Sequence, residues 1–357
     1  MKLLHNYSKR IQKLRNLLKN KELDGIYLVH PLAILYFTGL NLSTGRLLIS
    51  QTNTAIFVDS RYREYVENTT DLFVTALNSF LLQRTLATWK NIGIEGYDMS
   101  YAEVVDLKKI IPKKANLHSV AYSKELRSIK EESEIQCLQA SASLLWKGFL
   151  YLQRILQPGV TEKEVENLFR KFCIDHNARA AFDPIIAFGI NGSKPHHKSS
   201  DKKLENNTLI LIDIGLELDS YASDMTRMVF FGNVDSKWHD LHNIVEKAKQ
   251  AALEKCRPGR IIRDLDLTAR KVFTQEGVEE YFVHSLGHGV GLDVHEWPII
   301  HSKGLFADAA LEENMVITIE PGLYFPGKGG IRIEDTIQIT RDGYTNFFPQ
   351  NQQFFLT

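Results

Sequence analysis

Residues 207–232 read NTLILIDIGLELDSYASDMTRMVFFG, and the way this stretch folds decides what surrounds it. Apolar runs on both sides of a polar turn predict a two-stranded hairpin. With the turn centred between Leu218 and Asp219, Asp213 lies directly opposite Asp224. Like charges so opposed destabilise a sheet unless something cationic sits between them. Residues 314–339, NMVITIEPGLYFPGKGGIRIEDTIQI, repeat the arrangement by folding back around Gly327, which sets Glu320 opposite Glu334. Asp213 and Glu320 each interrupt an apolar strand, LILIDIG and VITIEPG, where a buried carboxylate needs a partner. A single acid at such a place also fits an exposed hairpin position or an ion pair with Arg227 or Arg332. Two opposed pairs on two equivalent hairpins ask for more positive charge than one arginine supplies, and a pair of divalent cations bridged by carboxylates is the common solution.

The segments upstream of the two hairpins also match. Residues 156–169, LQPGVTEKEVENLF, stop one helix at Pro158 and Gly159 and start the next with a capping box formed by Thr161 and Glu164. Further on, the helix DLHNIVEKAKQAALEKC runs into RPGRIIRDLDLTARKVF, with Pro258 and Gly259 in the same place. Two such units, each carrying two acids, predict a pseudo-symmetric domain with a site between its halves. Ahead of them, SKRIQKLRNLLKNK has helical spacing, DGIYLV, RLLIS and TAIFVD read as short strands, and SRYREYVEN is helical. That is an α/β pattern. The charged stretch SKELRSIKEESEI then leads into the amphipathic EIQCLQASASLLWKGFLYLQRIL, which puts a boundary near Arg127 and divides the chain into 1–126 and 127–357. The expected class is therefore α/β (α+β), in two domains.

At 357 residues the chain is long enough for two domains and a large core. Its 43 Lys and Arg balance its 43 Asp and Glu, which points away from nucleic acid and from an anionic membrane surface. Hydrophobic residues at 44% and aromatics at 10% describe an ordered globular protein. The start, MKLLHNYSKRIQKL, turns polar after two leucines, and no later run approaches the ~18 apolar residues of a membrane span, so a cytoplasmic location is expected. Cys137, Cys173 and Cys256 are odd in number and lack CxxC spacing, which fits buried thiols in a reducing compartment rather than a disulfide framework or a zinc ribbon.

Three histidines, 284, 288 and 295, crowd into YFVHSLGHGVGLDVHEWP at 281–298. A helical metal pair at 284 and 288 is the first thought, but Gly287, Gly289 and Gly291 defeat a helix. The segment reads instead as an extended glycine-rich loop that lets the backbone approach a ligand. In the first unit, AFDPIIAFGINGSKPHHKSS reaches His196 and His197 after an Asn191-Gly192 turn, and that pair taken alone reads as exposed loop.

ASDMTR after LIDIG, then HSLGHGVGLDVHEWP, TIEPGLY and GGIRIEDT, in that order, resemble the pita-bread metallopeptidases: aminopeptidase P, prolidase and methionine aminopeptidase. LYFTGL and FVDSRYREYVE resemble the creatinase/prolidase amino-terminal domain, which simple methionine aminopeptidases lack. The resemblance implies two divalent ions held by Asp213, Asp224, His288, Glu320 and Glu334, with Asp224 and Glu334 bridging. It implies that His295 and His196 hydrogen-bond the scissile carbonyl and the tetrahedral intermediate, and that His284 lines the pocket beyond the cut with Tyr324 and Arg332 near it; the chemistry makes Glu320 the expected proton shuttle as well as a ligand. A homodimer is implied as well.

The reaction expected first is hydrolysis of the bond between an amino-terminal residue and proline, with two cations lowering the pKa of a shared water. Four carboxylates and one imidazole favour manganese over zinc, with cobalt or iron(II) as alternatives. The rival within the class is an Xaa-Pro dipeptidase, which must meet the free carboxylate of proline with a cation. A non-catalytic binding protein or a metal-free hydrolase on the same scaffold is disfavoured, because all five ligand positions are filled.

Overall fold

The computed structural model describes residues 5–70, 72–349 and 354–356. It divides into two compact units, Met1–Arg127 and Ser128–Thr357. In the first, strands β1 (Gly25–Leu28), β2 (Arg46–Ser50), β3 (Thr54–Val58), β4 (Phe73–Ala76), β5 (Asn91–Glu95) and β6 (Asn116–Val120) form one sheet in the order β4-β3-β2-β1-β5-β6. The β1/β2 and β2/β3 pairs are antiparallel and the remaining neighbours parallel. Helix Tyr7–Asn20 forms where the spacing predicts one: Asn6 caps it by accepting from Lys9 N, and it buries Ile11, Leu14 and Leu18 along one stripe.

The second unit opens with the long helix Glu132–Ile155, and its duplication is written in backbone hydrogen bonds. Helices Glu162–Asp175 and Ile262–Gln275 have 14 residues each. Each follows a Pro-Gly turn whose glycine takes a positive φ, 92° at Gly159 and 81° at Gly259. Gly159 N donates to Leu204 O and Gly259 N to Leu311 O, both at 2.9 Å. The Thr161 capping box is present, with Glu164 N bonding Thr161 Oγ at 3.1 Å. Strands β7 (Arg179–Ala180), β8 (Ile185–Phe188), β9 (Thr208–Leu218) and β10 (Tyr221–Phe231) belong to the first half, and β18 (Phe354–Leu356) joins β10. Strands β11 (Gly287–Gly289), β12 (Glu296–Ile300), β13 (Val316–Ile319), β16 (Asp335–Thr340) and β17 (Gly343–Asn346) form the second sheet, while β14 (Gly322–Phe325) pairs with β15 (Gly329–Arg332).

The period of two along β9 sorts its side chains between two cores. Ile210, Ile212, Ile214 and Leu216 pack with Leu145, Phe149 and Phe169 of the first-half helices. Leu209 and Leu211 join Met228, Phe230, Phe273, Ile317 and Ile337. Asp213 continues the second row, so it points toward the second half of the domain. Among the described residues, no helix is long and apolar enough to cross a membrane. Cys137, Cys173 and Cys256 are buried.

Two expectations need correction. The β9/β10 turn is Asp219-Ser220, both at positive φ, and Leu218 pairs with Tyr221. Asp213 therefore faces Thr226 and Asp224 faces Gly215, not each other. The two acids remain on one face as diagonal neighbours. The glycines of 287–291 face close protein neighbours rather than open cavity. A Cβ on Gly287 would collide with the Thr318 carbonyl, one on Gly289 with the Trp297 carbonyl, and one on Gly291 with the Glu296 carboxylate. Gly287–Gly289 is a short strand pressed between its neighbours, and a register shift between His288 and Gly289 re-aims it.

Candidate active site

The second hairpin behaves as the sequence predicts. Ile319 pairs with Asp335 in one ladder and Gly322 with Arg332 in the next, in a single register, so Glu320 and Glu334 stand opposite each other in the gap between them. Asp213, Asp224, Glu320 and Glu334 then line one cavity of about 760 Å³, together with His196, His284, His288, His295 and Arg332. Donor atoms of Asp224, His288 and Glu334 all lie within 4.8 Å of one another. Tyr324 is buried behind the wall and donates into it through its hydroxyl.

The charges in this cavity do not cancel. Arg332 is ion-paired with Asp213, as the plainer reading of the acids allows. Arg227 is committed elsewhere, to Asp335 at 2.7 Å and to the Glu334 carbonyl. That leaves Asp213 Oδ1, Asp224 Oδ1 and Glu334 Oε1 buried without a hydrogen-bond partner. Burial, and then the neighbouring carboxylates, raise Asp224 and Glu320 well above the ordinary range and Glu334 to about 8. By contrast, Asp335 is also buried, yet Arg227 and Lys249 pull it down to about 2.

His288 fixes the sign of what is missing. Its Nδ1 lies 3.0 Å from the Gly289 carbonyl, which only accepts, so Nδ1 carries the proton. The Nε2 lone pair consequently faces Glu320 Oε1 at 3.3 Å and Asp224 Oδ2 at 3.7 Å. Burial, reinforced by His295, lowers the ring to about 3, so it is neutral at physiological pH. A lone pair aimed at carboxylate oxygens requires a proton or a cation between them. Orphaned oxygens, raised carboxyls and this imidazole together fit divalent cations in an oxygen-rich set.

The other wall is a relay of one orientation. His284 Nδ1 donates to Ser285 O at 2.7 Å, so Nε2 accepts from Tyr324 Oη at 2.9 Å, and that hydroxyl accepts from Arg332 Nη1 at 2.6 Å. Burial, then Arg332, lowers His284 to about 4. His196 and His295 are exposed at the mouth, and His295 packs edge-on to His288 with centroids 4.4 Å apart. His197 departs from the exposed-loop expectation: it is buried and bonds Glu162 at 2.8 Å.

Two threonines escaped the sequence reading. Thr226 Oγ donates to Glu334 Oε2 at 2.7 Å and accepts from Arg332 Nε at 3.1 Å. Thr318 Oγ accepts from His288 N at 3.0 Å and donates to Glu320 Oε1 at 3.3 Å. Each sits two residues from an acid on the same strand face, and that spacing is the signal that would have found them.

The model of metallopeptidase family M24 matches residues 136–341, and that of the creatinase/prolidase N-terminal domain matches residues 10–129. An Xaa-Pro dipeptidase from Pyrococcus furiosus is 33% identical over 337 residues, 94% of this chain and 96% of that protein. The solved prolidase from Pyrococcus horikoshii superposes with a TM-score of 0.90 at 31% identity, covering 97% of this chain and 99% of the other. The X-Pro aminopeptidase from Thermotoga maritima superposes with a TM-score of 0.89 at 30% identity, with the same coverage of 97% and 99%.

Proposed function

The chain belongs to metallopeptidase family M24, with the pita-bread fold, and from that premise we propose that it hydrolyses Xaa-Pro dipeptides. The observation that carries the reading is the group of Asp224, His288 and Glu334, whose donor atoms converge within 4.8 Å in a cavity short of positive charge. Likeness along 94% of the chain to an Xaa-Pro dipeptidase supports this over the aminopeptidase reading that the motifs first suggested. The comparable likeness to an X-Pro aminopeptidase keeps that as the second reading.

In this proposal Asp213, Asp224, His288, Glu320 and Glu334 hold two divalent cations, and the oxygen-rich donor set favours manganese. Bound cations would supply the Lewis acidity that acidifies water and polarises the scissile carbonyl. Glu320, which lines the cavity beside His288 Nε2, takes up the proton released from the attacking water and returns it to the leaving proline nitrogen. His295 and His196, at the mouth, donate to the carbonyl oxygen as charge develops there. The relay from Arg332 through Tyr324 holds neutral His284 in one orientation beside the proline.

A dipeptidase also has to meet the carboxylate of proline. The cations lining the cavity are Arg332, which is engaged with Asp213, and the exposed Lys198, which makes no ion pair among the described residues. Chelated enzyme resupplied with manganese is offered an Xaa-Pro dipeptide and the matching Xaa-Pro-Xaa tripeptide. Faster turnover of the dipeptide, and a Lys198→Ala variant whose KM rises for the dipeptide alone, is expected. Preference for the tripeptide would replace the proposal with the aminopeptidase reading.

A further inference from the structure

Glu162 is fully buried at the first position of helix Glu162–Asp175, outside the cation-binding set. Its carboxylate gathers five donors from one segment. Oε1 accepts from Phe188 N at 2.7 Å and Asn191 Nδ2 at 2.9 Å. Oε2 accepts from His197 Nε2 at 2.8 Å, Ser200 N at 2.9 Å and Ser200 Oγ at 2.6 Å. Burial alone would raise this carboxyl, but the bonds from Ser200, Asn191 and His197 outweigh it and the pKa is lowered. Glu162 is thus an ionised hub around which residues 188–200 are wrapped. His196 is carried at the cavity between two of the anchored positions.

We propose that Glu162 is a positioning residue, which through His197 and Ser200 fixes the 188–200 segment so that His196 meets the reacting carbonyl. The claim rests on the peptidase reading, in which His196 contacts substrate. The second half contains a counterpart. Asp266, fully buried in helix Ile262–Gln275, accepts from Ser302 N and from Arg270 Nε, both at 2.9 Å. Arg270 in turn donates to the carbonyls of Phe282 at 3.3 Å and His284 at 2.9 Å. In each half, a buried acid on the helix after the Pro-Gly turn holds the segment that delivers a histidine to the cavity. A misplacement of ~1 Å at a catalytic contact is enough to cost ~100-fold in rate.

The test is a double-mutant cycle on the full chain with manganese: Glu162→Gln, His196→Ala and the pair. Glutamine turns one accepting oxygen into a donor against donors, so Glu162→Gln should lower kcat by ~10–100-fold with KM changed little. Manganese per chain should stay at the wild-type value, and the Phe188 and Ser200 amides should exchange hydrogen faster. In the His196→Ala background the same change should cost under about twofold, since the group it positions is gone. Equal loss in both backgrounds, loss of manganese, or unaltered exchange would overturn the proposal. If Glu162→Gln does not fold, Ser200→Ala removes a single donor and should show the same background dependence at a smaller amplitude. Exchange needs no turnover, so a wild type inactive on every Xaa-Pro substrate refutes the functional reading, whereas unchanged exchange in Glu162→Gln refutes the anchor.

Discussion

Replacing Thr226 by valine keeps the shape of a fully buried side chain and removes one hydroxyl. That hydroxyl bonds Glu334 at 2.7 Å and Arg332 at 3.1 Å. Its worth depends on whether Glu334 is charged. In the cation-free protein Glu334 is held at about 8, so near pH 7 it is mostly protonated, and an ordinary neutral hydrogen bond of about 1 kcal/mol is lost. Once divalent cations are bound the carboxylate is ionised, and the same hydroxyl contributes ~1.5–3 kcal/mol. The Arg332 bond is lost in both states and cancels. The difference of ~0.5–2 kcal/mol appears as manganese binding weakened by ~2–30-fold. Titration calorimetry of chelated protein at pH 7 reads that ratio, and thermal unfolding should show a larger drop in Tm with manganese than with chelator. Thr226→Ser keeps the hydroxyl and should restore most of the affinity. Affinity within twofold of wild type, or a larger Tm drop in the chelated form, would show that Thr226 merely fills space.

Other perturbations separate the remaining roles. His295→Gln should cut kcat by ~100-fold or more and leave manganese content intact; because the ring packs against His288 at 4.4 Å, loss of metal would instead assign it to the cation site. His242 contributes to the acid limb of stability alongside His284 and His288, since burial, then Lys249, lowers it from 6.5 to about 4. The unfolded chain takes up a proton below 6.5 and the folded one does not until about 4, so this stabilisation is complete above pH 6.5 and is lost as pH falls through that window, at about 1.4 kcal/mol per pH unit. His242→Gln should flatten the change in unfolding free energy between pH 6.5 and 4; an unchanged slope would place the effect elsewhere.

Patterns that depend on local chemistry were legible in the sequence. The Thr161 capping box, the paired Pro-Gly turns and the fold-back at Gly327 each follow from residues adjacent in the chain, and each forms. The first hairpin turns one residue later than its pattern implies, at Asp219-Ser220, both at positive φ. Glycine and asparagine announce that conformation, whereas aspartate followed by serine does not. The glycines at 287, 289 and 291 exclude a helix, but the close approach they permit is to Thr318, Trp297 and Glu296. Those neighbours arrive through sheet pairing that no local pattern announces.

The displaced turn has a consequence for the chemistry. Had Asp213 faced Asp224 directly, the first hairpin would have repeated the second, with two carboxylates across one rung. The actual register puts Thr226 on that rung, opposite Asp213, and moves Asp224 to the diagonal. Thr226 is thereby free to serve Glu334 from the other hairpin and Arg332 beside it. Thr318 instead serves the acid two residues along its own strand, Glu320. The halves are therefore equivalent in their helices and turns but not in their acid pairs, and the asymmetry gives Asp213 an arginine while Glu320 faces an imidazole lone pair. Both carboxylates leave room for a cation, since Asp213 Oδ1 has no partner, but only Glu320 faces the His288 lone pair while Asp213 is held by Arg332. Within the proposed peptidase reading, that difference in environment, rather than any difference in residue type, is what supports Glu320 over Asp213 for the proton-transfer role.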